Sequence, residues 1–175
     1  VIFPGNNTQI SSEADAILLL SLISGRNPEY LIGQHVMASH ELKRSGLEII
    51  PTGYILVECG HTSTTQYVSN TTPIPHRKNG IASATSLAGE QLGMKVIYLE
   101  GGSGAKRMIS SDMISDVRQT VDCPLIVGGG IRTLKDAELA WDSGADLIVV
   151  GSRFEENPEF GVALSNLKQQ IKWNS

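Results

Sequence analysis

The sequence predicts an α/β fold with a parallel sheet, read as a phosphate-binding (β/α)8 TIM barrel lacking about its first two βα units. Three observations predict it. Short apolar runs alternate with longer amphipathic segments, glycines stop the segments before the next run, and the last two runs end in glycine loops one βα unit apart.

Six runs read as strands, at residues 1–3, 16–23, 48–58, 95–99, 124–127 and 146–150. Four are nearly continuous in apolar residues rather than alternating, the pattern of parallel strands covered on both faces. Between them, residues 28–45, 81–92, 111–120 and 134–143 read as helices. Asn27-Pro28 is a start signal, with Asn as cap and Pro at the first helical position. Gly46, Gly93 and Gly144 each follow a helix and precede a strand, which marks a C-terminal stop. Residues 60–80 have no clear period and are rich in Thr, Ser, Asn and Pro, so a functional or mobile segment is expected there.

A closed barrel typically needs ~250 residues and at least ~200, whereas this chain has 175. The start at Val1, without an initiator Met, accords with N-terminal strands lying before it. The expectation is one barrel domain over residues 1–175. An open six-stranded sheet is the alternative.

Composition bounds the function. The 14 Lys and Arg against 18 Asp and Glu leave a net charge of −4, which argues against a broad nucleic-acid surface. Only Cys59 and Cys123 are present, without metal-ligand spacing, which suits a reducing, cytoplasmic setting. No apolar run reaches the ~18 residues of a membrane span.

The strongest motif is Ile126-Val127-Gly128-Gly129-Gly130-Ile131, a buried run passing into three glycines and then a helix. Glycines there let backbone amides close on a ligand with no Cβ in the way. Val149-Val150-Gly151-Ser152 repeats the device one unit later, and loops after the last two barrel strands frequently form a phosphate site. In Tyr98-Leu99-Glu100-Gly101-Gly102-Ser103-Gly104-Ala105, Glu100 falls at a strand's carboxyl end, where barrels place catalytic groups. Alternation puts Tyr98 and Glu100 on one side and Leu99 on the other. Arg26 ends another strand, where its fork of donors suits a diphosphate; a plain surface Arg is the alternative. His35 reads as helix packing, and His61 and His76 form no metal pattern.

These strings resemble the geranylgeranylglyceryl phosphate synthase family, which includes the heptaprenylglyceryl phosphate synthases. The bacterial-type branch is further echoed by Leu20-Ser21-Leu22-Ile23-Ser24-Gly25-Arg26-Asn27-Pro28, Ile32-Gly33-Gln34-His35, Ile50-Pro51-Thr52-Gly53-Tyr54 and Ser69-Asn70-Thr71-Thr72-Pro73-Ile74-Pro75. The resemblance implies a Mg²⁺-dependent prenyltransferase of lipid biosynthesis. It would join a long-chain prenyl diphosphate to the C3 hydroxyl of sn-glycerol-1-phosphate and release diphosphate. Glycerol-phosphate contacts then fall on Tyr98, Glu100, Gly102, Ser103, Gly104, Gly129, Gly130, Gly151 and Ser152, with Glu100 as the general base. The family's metal-binding Asp, and a Ser or Thr after its second strand, belong to strands this sequence does not contain, so no metal ligand is expected within it. A homo-oligomer and transient membrane contact through the lipid product are further expectations. Another phosphate-barrel enzyme acting on a sugar phosphate, or a truncated non-catalytic phosphate-binding barrel, are the rival readings.

Overall fold

In the computed structural model, which describes residues 1–170, five parallel strands form one sheet in the order β1-β2-β3-β4-β5. They are β1 (Ala16–Leu22), β2 (Glu48–Leu56), β3 (Val96–Glu100), β4 (Leu125–Gly128) and β5 (Leu147–Val149). A doubly wound sheet reverses its strand order at a switch point. Here sequence order and spatial order coincide throughout, so the sheet is the arc of a (β/α) barrel. Residues 171–175, the end of the expected domain, lie outside the described residues.

The expected first strand is reduced to one parallel bridge, between Ile2 and Ile17. Too few of its residues lie alongside β1 to form a ladder. The helix expected from Pro28 opens instead as a π-helical turn, Glu29–Gly33, before α1 (Gln34–Ser45). Asn27 does accept the Glu29 N–H, at 3.1 Å, while its own amide reaches the Ser69 carbonyl at 2.8 Å. The 60–80 segment holds a short helix, α2 (Thr64–Ser69), whose N-cap Ser63 accepts the Gln66 N–H. The segment also bridges Ile74 to Val57. Helices α3 (Asn79–Gln91), α4 (Ser111–Arg118) and α5 (Leu134–Asp142) follow the sequence pattern, and α6 (Ser152–Glu156) and α7 (Glu159–Gln170) close the described chain. Gly46, Gly93 and Gly144 all take positive φ at helix ends, as stop positions require.

The two sheet faces differ. Ile55, Ile97, Leu99, Leu125 and Val127 point outward and join Met113, Ile114 and Val117 of α4 in a fully buried layer. Leu22, Tyr54, Leu56, Tyr98 and Ile126 point inward and fill the concave side. Period-two alternation therefore delivers Tyr98 and Glu100 to the inside of the arc and Leu99 to the layer under the helices.

Candidate functional site

Parallel strands of a barrel arc all end on one face, so their following loops meet there. At this end lies a cavity of about 660 Å³ lined by Tyr98, Glu100, Gly102, Ser103, Gly104, Gly129, Gly130, Gly151 and Ser152. Every residue proposed from sequence to contact glycerol phosphate thus faces the same space, although three separate βα loops supply them.

Glu100 forms part of its wall. Its side chain is buried, and its Oε1 accepts the Gly102 N–H at 2.6 Å. Burial pushes its carboxyl above the ordinary carboxylate range, while the facing Tyr98 hydroxyl and the Gly102 N–H act in the opposite direction. A carboxyl held this way is a better proton acceptor, once ionised, than a solvated one. The same burial, with the charge on Glu100, pushes the Tyr98 phenol upward, so Tyr98 stays a neutral donor.

The glycine loop lies hard against this carboxylate. A Cβ on Gly129 (φ +84°) would stand 2.8 Å from Glu100 Oε1, 2.8 Å from the Gly102 nitrogen and 2.9 Å from the Gly101 Cα. A Cβ on Gly130 would meet the Arg107 carbonyl. Only glycine fits both places, and the backbone N–H groups of Gly129 and Gly130 donate to no other described residue. The Gly101 N–H donates to the Gly128 carbonyl at 2.9 Å and ties the β3 loop to the β4 loop. Gly151 lies at the opening of α6, with open space where a Cβ would stand.

The β3 loop is braced by neighbouring segments, and one of these braces, Arg132 on Ala105, is itself part of the cavity lining. Lys106 N–H donates to the Cys59 carbonyl at 3.0 Å, Arg132 donates to the Ala105 carbonyl at 3.0 Å, and Arg107 pairs with Glu58 at 2.7 Å. Cys59 is fully buried beneath it, and burial pushes its thiol up to about 12, so it stays protonated and inert.

Arg26 is not brought to this cavity. Its guanidinium turns back to the Gly25 carbonyl at 2.8 Å, and it borders a separate groove between β1 and α3. His35 bonds the Leu20 carbonyl at 2.9 Å and His76 the Met108 carbonyl at 3.1 Å, both ties between chain segments. His61 lies near Gly104. Among the described residues no three His, Cys, Asp or Glu side chains gather to hold a metal ion.

A second, mainly apolar cavity of about 260 Å³ adjoins the first. Leu19, Leu20, Leu22, Tyr30, Ala38 and Leu42 line it, together with Phe3 to Asn6, Ile10 and residues of α2. The lining thus draws on the 28–45 segment, on α2 and on Tyr54, and no sequence motif marked the last two as lining.

Comparison with known proteins decides the family, since residues 1–170 match the model of the PcrB family. The chain belongs to the PcrB family. A geranylgeranylglyceryl phosphate synthase of Spirosoma linguale is 55% identical over 171 residues, covering 98% of this chain and 69% of the relative. That of Chitinophaga pinensis is 54% identical over 156 residues, 89% of this chain and 62% of its own length. Among solved structures, the (S)-3-O-geranylgeranylglyceryl phosphate synthase of Thermoplasma acidophilum, in complex with substrate sn-glycerol-1-phosphate, superposes with a TM-score of 0.89. It is 35% identical, and the match covers 98% of this chain and 68% of that one. This PcrB-family chain therefore spans about two thirds of its relatives' length.

Proposed function

We propose that this PcrB-family chain carries the acceptor site of a prenyltransferase that joins a long-chain prenyl diphosphate to the C3 hydroxyl of sn-glycerol-1-phosphate. The observation that carries the reading is the convergence of the β3, β4 and β5 loops on one cavity with Glu100 in its wall. The solved Thermoplasma acidophilum relative, bound to that acceptor, supports it.

The phosphate group sits against the backbone amides of Gly129, Gly130 and Ser152, where glycine lets the chain approach closely. Anchoring the phosphate holds the far hydroxyl near Glu100, and positioning of this kind supplies a large share of the rate. The allylic carbon–oxygen bond breaks with its electron pair leaving on diphosphate. A lone pair of the glycerol hydroxyl forms the new ether bond, and its proton passes to Glu100. Tyr98 holds that carboxylate in place. The prenyl tail lies in the adjoining apolar cavity.

Mg²⁺ is proposed as the counter-ion of the diphosphate. Among the described residues no three His, Cys, Asp or Glu side chains gather, and an ion carried by the diphosphate would need only one or two protein carboxylates. No described helix is long and apolar enough to cross a membrane. The free thiols Cys59 and Cys123 fit a reducing cytoplasm, with membrane contact limited to handing over a lipid product. Exposed Ile32, Val36 and Met37 offer an apolar face for a second copy.

The test is a prenyl-transfer assay with sn-glycerol-1-phosphate as acceptor, run with Glu100→Gln. Turnover is expected to fall about 10²–10⁴-fold, the usual range for a lost general base, with acceptor affinity far less affected. Unchanged turnover would remove Glu100 from the base role.

A further inference from the structure

The two cavities touch, and the residues at their junction have no role in the reading so far. Among the described residues, only Phe3, Tyr54 and Thr65 line both. If the tail fills the apolar cavity and the glycerol phosphate the polar one, the carbon that changes partners must lie where the two meet. The proposal below rests on that reading and names what this carbon faces.

An aromatic cluster stands there. Tyr54 and Tyr98 meet edge to face with centroids 5.2 Å apart, and Phe3 lies 5.8 Å from Tyr54 and 5.6 Å from Tyr98. Each phenol faces a different partner: the Tyr98 hydroxyl lies towards Glu100, and the Tyr54 hydroxyl towards Thr65 of α2. Tyr54 is buried at 6% exposure, whereas Phe3 is 49% exposed and makes the outer lip. Burial pushes the Tyr54 phenol strongly upward, with the charge on Glu100 adding to it. Its ring therefore stays neutral and electron-rich.

We propose that Tyr54 is the aromatic wall against which the allylic carbon develops positive charge, with Tyr98 and Phe3 holding its ring in place. When the bond to diphosphate breaks, the electron pair leaves with diphosphate and the carbon becomes cationic. A ring face attracts such a charge through its quadrupole, more strongly where water is excluded. The glycerol oxygen then closes on the carbon from the polar side. The same ring keeps water from the carbon, so the acceptor hydroxyl rather than solvent captures it.

The experiment replaces residue 54 in the natural protein with Phe, with Leu and with singly, doubly and triply fluorinated phenylalanines. Fluorine withdraws electrons from the ring with little change in shape, so a packing role is indifferent to it. Tyr54→Phe is expected to keep turnover within about threefold. Tyr54→Leu is expected to lose about thirtyfold in kcat, the equivalent of about 2 kcal/mol, with sn-glycerol-1-phosphate affinity unchanged by calorimetry. Along the fluorinated series kcat is expected to fall in step with each fluorine, and the share of product appearing as free prenyl alcohol to rise in Tyr54→Leu. A flat fluorinated series, or Tyr54→Leu as active as Tyr54→Phe, overturns the proposal and leaves the prenyl-transfer reading standing. A wild-type protein that binds the acceptor but transfers no prenyl group overturns both. Should Tyr54→Leu fail to fold, the fluorinated series decides alone.

Discussion

Placing a single methyl group on Gly129 tests the packing of the site more sharply than removing any of its side chains. In Gly129→Ala the new Cβ meets a carboxylate oxygen, a backbone nitrogen and a backbone carbon, all closer than 3.0 Å. Two of the three are main chain and cannot swing away. Left-handed backbone costs a non-glycine residue about 1–2 kcal/mol, and overpacking adds about 1–3 kcal/mol. The expected loss is about 2–5 kcal/mol, or about 4–20 °C in Tm for a domain of this size. Gly46→Ala is the matched control. Gly46 has a φ of +75°, close to the +84° of Gly129, but nothing lies within 4 Å of its would-be Cβ. It should lose only the backbone share, about 2–8 °C. Entropy gained by removing a glycine from the unfolded chain is common to both and cancels in the comparison. Thermal melts of the two variants side by side supply the measurement. If Gly46→Ala loses as much as Gly129→Ala, the β4 loop does not press on Glu100 and the site geometry argued above is wrong.

The raised pKa of Glu100 sets a sign for pH dependence. Its carboxyl must ionise to act as a base, so wild-type kcat should climb as pH rises through a pKa above the ordinary carboxylate range. The residual activity of Glu100→Gln should lack that limb in a pH–rate profile. Stability runs the other way: a carboxyl with a raised folded pKa stabilises the fold below its unfolded pKa, and that contribution is lost as pH rises through the folded one. Glu100→Gln should therefore melt no lower than wild type at neutral pH and gain on it as pH increases from acid. In the outer layer, Met113 is fully buried against the sheet, and Met113→Ala should cost about 2–5 kcal/mol in a denaturant titration.

Much of this was legible in the sequence because it depends on local pattern. The apolar runs mark where β1 to β5 lie to within a few residues, and alternation along β3 correctly turns Tyr98 and Glu100 away from Leu99. What the sequence concealed depends on distant partners. Helix α2 is six residues long, too short for a period to show, and only the Ser63 cap announced it. Helix α7 could have been found, since Phe160, Leu164 and Leu167 recur at helical spacing. Arg26 looked like an anion ligand because its type and place suit one; its long side chain instead found nearby carbonyls. Tyr54 carried no functional signal in its local pattern, because its place between two cavities depends on Phe3 and Thr65, both distant from it in sequence.

Titrating sn-glycerol-1-phosphate into the wild-type protein and Gly129→Asp by calorimetry bears most directly on whether the glycine loops hold a phosphoryl group opposite Glu100. A saturable isotherm for the wild type and none for the variant, with the variant's fold confirmed by its melt, is the predicted result. Equal affinity in the two proteins would contradict it and move the phosphate site elsewhere.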